Sequence, residues 1–210
     1  MPPTLYGSYG SGSAAIEMAL RAASVKYETV RASSWEPDSN YAELLAVNPL
    51  GQIPTLRLAD GTVLSESAAI LIHLGLTCAG AELLPRSPSA RATAIRGLVY
   101  IASNCYAAVS VSDHPERWTT ATSSYSIDRV RAGARRQLHR AWDVFADQFG
   151  NFPEFRGATP GCLAFLCVVV SQWSGTRAHI EEQRPEFFSA IQQLERHPRI
   201  ESVLREHRAA

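Results

Sequence analysis

A proline step followed by an acidic-serine helix start is the group of residues whose types and spacing most clearly predict chemistry. Pro54 lacks an N–H group, so it cannot be an ordinary member of a central strand. A tight turn at this proline would leave the N–H and C=O of Ile53 free to pair with an extended, peptide-like guest. Glu66 and Ser67 open an apolar helical run, and helix starts bind anions such as a carboxylate. The spacing predicts a site for a peptide-like ligand, while plain helix capping is the alternative for the second pair.

The elements around these residues follow the order strand, helix, strand, then hairpin and helix. The hydrophobic pattern predicts, in chain order, a strand at Leu5–Tyr9, a helix at Ser13–Ala23, a strand at Tyr27–Arg31, a short helix at Tyr41–Val47, strands at Thr55–Leu58 and Thr62–Leu64, and a helix from Ser65. Asp60-Gly61 between the last two strands favours a hairpin. The first two strands need a crossover and should be parallel. This βαβ–ββα order predicts an α/β thioredoxin-like N-terminal domain over residues 1–79.

Strand patterns disappear in the second part of the chain. Residues 80–89, with two prolines, are predicted to be a linker, and residues 90–210 an all-helical bundle domain. The predicted helices are Ala90–Ser112, Ser126–Phe149, Gly161–Trp173, Pro185–Leu194 and Arg199–His207. The third of these is apolar almost all round, so we expect it to be the central buried helix of the bundle.

Three segments, Leu5-Tyr6, Asn48–Pro54 and Ser65–Ser67, match one known family, and the likeness extends over nearly the whole chain. The chain resembles the cytosolic glutathione S-transferase superfamily, as a serine-type or atypical bacterial-like member. The resemblance implies that Glu66 and Ser67 bind the amine and the carboxylate of the γ-glutamyl end of glutathione. It also implies main-chain bonds from Ile53, beside Pro54, to the cysteinyl part, and contact of Gln52 with the glycyl carboxylate.

Glutathione chemistry requires a thiolate, and the resemblance directs attention to the loop before the first helix. A thiol pKa near 8.5 must fall by roughly 2 units, or about 2.7 kcal/mol, and one hydrogen bond to a charged acceptor contributes roughly 1.5–3 kcal/mol. The family's catalytic serine and cysteine fall on Gly10 and Gly12. Ser11 lies between them and is the predicted donor, with Ser13 next, although either serine could simply cap the helix. The other candidates are Ser8, Tyr9 and the main-chain N–H groups of Gly12 and Ser13.

Four aromatic residues fall near segments that line the hydrophobic substrate site in the family: Tyr9, Tyr106, Trp118 and Trp173. Tyr106 is the most interesting, because Ser103–Tyr106 matches the stretch that faces the thiol in beta-like members. Its hydroxyl could assist departure of the leaving group. Ordinary packing of aromatic rings in a helical bundle is the alternative for each of the four.

One departure from the family concerns the start of the buried helix. A Ser/Thr-x-x-Asp motif caps this helix in the family, and here Thr159 is kept whereas Cys162 stands where aspartate is expected. We expect Thr159 to cap the helix and the missing carboxylate to cost about 1 kcal/mol.

Composition limits the partners and the compartment. The 210 residues include 20 basic and 20 acidic side chains, which gives no indication of nucleic-acid binding. The four cysteines form no Cys-x-x-Cys pair and the six histidines are dispersed, so we expect no metal site and a reducing cytoplasm. The start lacks a signal-peptide pattern, and the longest apolar run, Cys162–Val170, is too short to span a bilayer. We therefore expect a soluble protein that is not bound to a membrane.

The resemblance implies a detoxifying glutathione transferase that conjugates the thiolate of its co-substrate glutathione to a hydrophobic electrophile. A homodimer is implied by the resemblance alone. The first alternative is a glutathione-dependent reductase or lyase that cleaves disulfides, ethers or halides; Gly12 supplies no cysteine for mixed-disulfide chemistry. The second is a non-enzymatic glutathione-binding module. The glycines at positions 10 and 12 favour this alternative, whereas the retained segments Gln52–Pro54 and Glu66-Ser67 argue against it.

Overall fold

The first part of the chain is a small four-stranded sheet with helices on both faces. The protein is represented by a computed structural model that describes residues 1–209. The elements of this part are β1 (Thr4–Gly7), α1 (Ser13–Ala22), β2 (Glu28–Arg31), α2 (Tyr41–Val47), β3 (Thr55–Arg57), β4 (Val63–Leu64) and α3 (Ser67–Thr77). The strand order is β2-β1-β3-β4, with β1 parallel to β2 and β3 antiparallel to β1 and β4. The predicted thioredoxin-like fold is confirmed.

Alternating side chains along β1 separate two apolar clusters, as strand geometry requires. Leu5 belongs to the main core with residues of α1 and α3, whereas Tyr6 lies in a smaller cluster with Ala32 and Leu44. The start of α1 also packs closely on the end of β1, because a Cβ at Gly7 would lie 2.5 Å from the Cβ of Ser13. The close approach requires glycine and fixes where the loop before α1 must lie.

The hairpin between β3 and β4 forms where the Asp-Gly pair predicts it. Gly61 adopts a φ of 89°, which suits glycine, and the Thr62 N–H donates to Asp60 Oδ1 at 2.9 Å. Leu56 pairs with Leu64 across the two strands. The hairpin brings the chain back to the start of α3 beside the sheet.

Helices make up the second part. They are α4 (Pro88–Tyr100), α5 (Ala107–Asp113), α6 (Ser124–Phe149), α7 (Cys162–Val170), α8 (Thr176–Gln183), α9 (Pro185–Glu195) and α10 (Pro198–Arg208). Three 3₁₀ turns lie at Ala79–Ala81, Pro115–Trp118 and Pro153–Arg156. As predicted, α7 is buried along its whole length. Helix α8, in which Thr176 and Ile180 are the buried residues, was not predicted from the sequence.

A π turn, Ile101–Tyr106, joins α4 to α5 in one continuous helical stretch. In the part of the chain that the structure describes, this stretch, Pro88–Asp113, is the one segment long and apolar enough to cross a membrane by length and composition. It packs against α6 and α7, which is the position of a helix inside a bundle.

The cap of α7 differs from the sequence-based expectation. The residue before the helix is Gly161, and Thr159 is exposed and forms no hydrogen bond within residues 1–209. The buried carboxylate of Glu154 caps instead, because its Oε2 accepts from the N–H groups of Gly161 and Ala164 at 2.9 Å each. Burial raises the pKa of Glu154 to about 7, although both N–H groups and the Arg199 guanidinium act in the opposite direction. The expectation that Thr159 caps this helix was wrong.

Candidate active site

The entry to β3 presents main-chain groups without partners. Pro54 is buried, its bond to Ile53 is cis, and Thr55 begins the strand. Neither the N–H nor the C=O of Ile53 takes part in a hydrogen bond within the described residues. Both groups are therefore available to an extended guest, which is the arrangement that the predicted binding mode needs.

Buried polar side chains hold this segment in place. The Asn48 side-chain amide donates to Thr55 Oγ1 at 2.9 Å and to the Gln52 carbonyl at 3.3 Å, and Thr55 Oγ1 donates to the same carbonyl at 2.8 Å. Asn48 Oδ1 accepts from the Leu50 N–H at 3.2 Å. Buried hydrogen bonds of this kind fix the loop because an unpaired amide would be costly there. The segment that carries Ile53 is thus set before any ligand arrives.

The start of α3 is strained and lacks a side-chain cap. Glu66 has φ 66° and ψ 112°, a conformation that non-glycine residues rarely adopt. Its exposed carboxylate forms no hydrogen bond or ion pair within residues 1–209, and no side chain accepts from the first N–H groups of α3. Strain of this kind costs of order 1–3 kcal/mol and is concentrated at ligand sites. Glu66 and Ser67 therefore offer a free carboxylate, hydroxyl and N–H groups to a ligand.

The serines before α1 are engaged with each other. Ser11 Oγ donates to the Ser8 carbonyl at 2.7 Å and lies 2.9 Å from Ser13 Oγ, which also donates to the Ser8 carbonyl at 3.1 Å. Ser11 Oγ accepts from the Ser13 N–H at 3.2 Å, and both serines are buried. Each hydroxyl proton thus has a protein acceptor. This geometry counts against Ser11 and Ser13 as donors to a ligand and favours a role in holding the loop on α1.

A different hydroxyl reaches the start of α1. A Cβ placed on Gly12 would lie 2.7 Å from the hydroxyl oxygen of Tyr106 and 3.4 Å from Pro54 Cδ. The Tyr106 hydroxyl forms no hydrogen bond with another described residue. Burial and the nearby negative charge of Glu66 raise the pKa of Tyr106 to about 12. The α1 start, Pro54 and Tyr106 therefore lie close together, near enough to Glu66 for its charge to act on Tyr106.

Comparison with known proteins finds similarity to one superfamily. Residues 13–76 match the family model described as the glutathione S-transferase N-terminal domain. An uncharacterized GST-like protein of Escherichia coli, YncG, is 34% identical over 115 residues, covering 54% of this chain and 56% of the relative. These matches support the resemblance of the chain to the glutathione S-transferase superfamily. A glutathione transferase homolog from Sulfitobacter, solved with bound glutathione, shares the fold with a TM-score of 0.82 at 24% identity, over 98% of each chain.

A second curated relative carries a different name. A probable maleylacetoacetate isomerase of Caenorhabditis elegans is 36% identical over 95 residues, which cover 44% of this chain and 42% of the relative. The chain thus matches about half the length of its curated relatives. The activity of the whole protein is accordingly a matter for proposal.

The structure brings the other predicted site residues only partly together. Trp173 packs edge-on against Tyr106, with ring centroids 5.5 Å apart. Tyr9 instead lies against His207 of α10, with ring centroids 5.6 Å apart, and under the guanidinium of Arg31. Trp118 is 60% exposed and makes no aromatic contact within the described residues. Gln52 is exposed, in the segment that Asn48 and Thr55 hold in place.

Sequence reasoning missed the supporting residues. Asn48 and Thr55 both lie in or beside the matching motif, but nothing in their types indicated that they hold the Gln52 carbonyl. Residues 1–209 contain no group of three or more His, Cys, Asp or Glu side chains placed to hold a metal.

Proposed function

We propose that this protein is a glutathione transferase that joins the glutathione sulfur to a hydrophobic electrophile. The proposal is carried by the free binding groups of two segments, the main chain of Ile53 and the strained, uncapped start of α3. The γ-glutamyl carboxylate would accept from Ser67, its ammonium would meet the Glu66 carboxylate, and the cysteinyl part would pair with Ile53. This order places the sulfur near Gly12 at the start of α1.

The chemistry then needs only an ionised thiol and a held electrophile. The thiol proton leaves to solvent, the sulfur lone pair forms a bond to the electrophilic carbon, and the leaving group departs with the electron pair of the broken bond. The N–H groups of Ser11 and Gly12, which have no acceptor in the described residues, and the α1 N-terminus both favour negative charge there. Positioning of the two reactants provides most of the remaining acceleration.

The electrophile would lie against the aromatic pair of Tyr106 and Trp173, where the thioredoxin-like part meets the helices. Tyr9 is 40% exposed and would extend this wall from the other side of the loop, while Trp118 would serve only larger substrates. A homodimer, as expected from the resemblance, and a cytoplasmic location complete the proposal. Light scattering of the purified protein tests the dimer.

Isothermal titration calorimetry with glutathione tests the binding site. We expect saturable binding with a Kd below about 1 mM. The dipeptide cysteinyl-glycine, which lacks the γ-glutamyl group, should bind far more weakly, and Ser67→Ala should remove most of that difference. Absence of saturation by glutathione at millimolar concentrations would refute the proposal.

Turnover of chlorodinitrobenzene then tests the reaction class, with release of chloride and formation of the thioether. A second candidate is a glutathione-dependent isomerase, favoured by the isomerase name of one curated relative. In that reaction the thiolate adds to a conjugated double bond and is expelled again, so the product contains no glutathione. Mass spectrometry of products from a conjugated enone separates the two. Tight binding without any product would favour a binding module.

A further inference from the structure

We propose that the Tyr106 hydroxyl, from the helical part of the chain, is the side-chain donor that stabilises the glutathione thiolate. It would take the place of a side chain in the loop before α1. The inference rests on the proposed function and assigns a catalytic residue to it. Its basis is the position of this hydroxyl at the start of α1 and the engagement of the competing hydroxyls.

The competing hydroxyls around the loop have other partners. Tyr6 donates to Glu43 at 2.8 Å on the other face of the sheet. Ser8 Oγ donates to the Glu36 carboxylate. Ser11 and Ser13 both donate to the Ser8 carbonyl, as described above. Each of these protons is already committed to a protein oxygen.

Among the hydroxyls considered as thiolate donors, those of Tyr9 and Tyr106 form no hydrogen bond within the described residues, and their surroundings differ. The Tyr9 ring is held by Arg31 and His207, on the side of the loop where α10 packs. The Tyr106 hydroxyl lies beside Gly12 at the start of α1 and close to Pro54. Pro54 follows Ile53, whose main chain would hold the cysteinyl part of glutathione. The Tyr106 hydroxyl therefore lies where the proposed binding mode puts the glutathione sulfur.

Gly12 is the complement of Tyr106. Any side chain at residue 12 would begin 2.7 Å from the Tyr106 oxygen, closer than real Cβ atoms approach an oxygen. The absence of a side chain there leaves room for the tyrosine hydroxyl. The π turn that ends at Tyr106 widens the helix at this point, and π turns are frequent at functional sites.

The protonation state suits a donor. The raised pKa of about 12 keeps the Tyr106 hydroxyl protonated at neutral pH, so it donates a hydrogen bond and does not act as a base. The hydrogen bond stabilises the thiolate and leaves the thiol proton with solvent. Loss of such a bond to a charged acceptor should raise the pKa of the bound thiol by about 1–2 units.

The test measures the pKa of the glutathione thiol on the protein from the ultraviolet absorbance of the thiolate as a function of pH. We expect Tyr106→Phe to raise this pKa by about 1–2 units and to lower turnover at pH 7 by about tenfold or more, with glutathione affinity nearly unchanged. Tyr100→Phe is the matched control, because it removes a tyrosine hydroxyl from the same helical stretch. The Tyr100 hydroxyl donates to the Ala141 carbonyl at 3.0 Å. The control variant should leave the thiol pKa unchanged.

Gly12→Ala provides a second, independent arm. The added methyl group should displace the Tyr106 hydroxyl and raise the thiol pKa as Tyr106→Phe does, and the double variant should be no worse than Tyr106→Phe alone. Gly133→Ala is the control, since a Cβ there would meet only Arg136 Nη2 at 3.9 Å.

The outcomes separate this inference from the proposed function. If the unaltered protein binds glutathione but Tyr106→Phe leaves the thiol pKa where it was, the assignment of Tyr106 is wrong and the transferase proposal stands. If Tyr9→Phe, and not Tyr106→Phe, raises the thiol pKa, the donor is Tyr9. If glutathione does not bind at all, the proposed function fails first.

Discussion

The carboxyl group of Glu154 should make the stability of this protein fall as the pH rises towards neutrality. Glu154 is buried in a 3₁₀ turn, and its Oε2 accepts from two N–H groups at the start of α7. The groups around it are Arg199, which favours the carboxylate, and the thiol of Cys162, which begins α7. Burial prevails over these contacts and raises the pKa of Glu154 to about 7 from an ordinary value of 4.5.

The sign and the magnitude follow from proton linkage. Between pH 4.5 and about 7 the folded protein keeps a proton that the unfolded chain releases, so the free energy of unfolding falls as the pH rises. Each pKa unit corresponds to about 1.36 kcal/mol, so the total loss is about 3 kcal/mol and is complete above about pH 7. Below pH 4.5 the carboxyl is protonated in both states and contributes no further change.

Urea unfolding of the unaltered protein and of Glu154→Gln, at pH 5 and pH 8, measures this effect. The glutamine carbonyl can accept from Gly161 and Ala164 as the protonated carboxyl does, without titrating. We expect the variant to be about 3 kcal/mol more stable than the unaltered protein at pH 8 and similar at pH 5. Glu182→Gln is the control, because Glu182 is exposed on α8. A variant that is less stable at pH 8 would show that the ionised carboxylate is the better cap, and would refute the reasoning.

Two further predictions concern the ligand site. Glu66→Gly should leave the free energy of unfolding unchanged or raise it by up to about 1 kcal/mol, because glycine tolerates a φ of 66°. The same variant should bind glutathione at least tenfold more weakly in calorimetry, and unchanged affinity would contradict the role of the Glu66 carboxylate. Asn48→Ala should lower the free energy of unfolding by about 1–3 kcal/mol in urea and weaken glutathione binding, because the Gln52 carbonyl and Thr55 lose a buried partner. Normal affinity in that variant would mean that Ile53 is held by other contacts.

Local patterns in the sequence predicted most of the fold. The Asp60-Gly61 pair, the alternation along the strands and the apolar run of α7 each express a short-range rule, and each predicted element forms, although some of their ends differ. The first strand was predicted to reach Tyr9 but ends at Gly7, because the chain must turn there to place Ser13 against Gly7. Helix α8 was missed because so few of its residues are buried that its sequence resembles a loop.

The cap of α7 shows why the remaining features could not be predicted from the sequence. Capping rules look for an oxygen within three residues of the helix start, and they direct attention to Thr159. The acceptor that the structure uses, Glu154, comes from the preceding turn and is seven residues away from Gly161 in the chain. Its role depends on how that turn packs, which no local pattern records.

The same limit applies to the two glycines at the family's catalytic positions. Considered alone, Gly10 and Gly12 suggest a protein that has lost its chemistry, since no loop side chain is left to meet a sulfur. In the fold, a side chain at residue 12 would occupy the space that the Tyr106 hydroxyl fills. A glycine at this position is then what a donor from the helical part requires, and a cysteine there would clash with it. A side chain at residue 12 and the Tyr106 hydroxyl would compete for the same space, and this competition depends on how the two parts of the chain pack, which no local pattern in the sequence records.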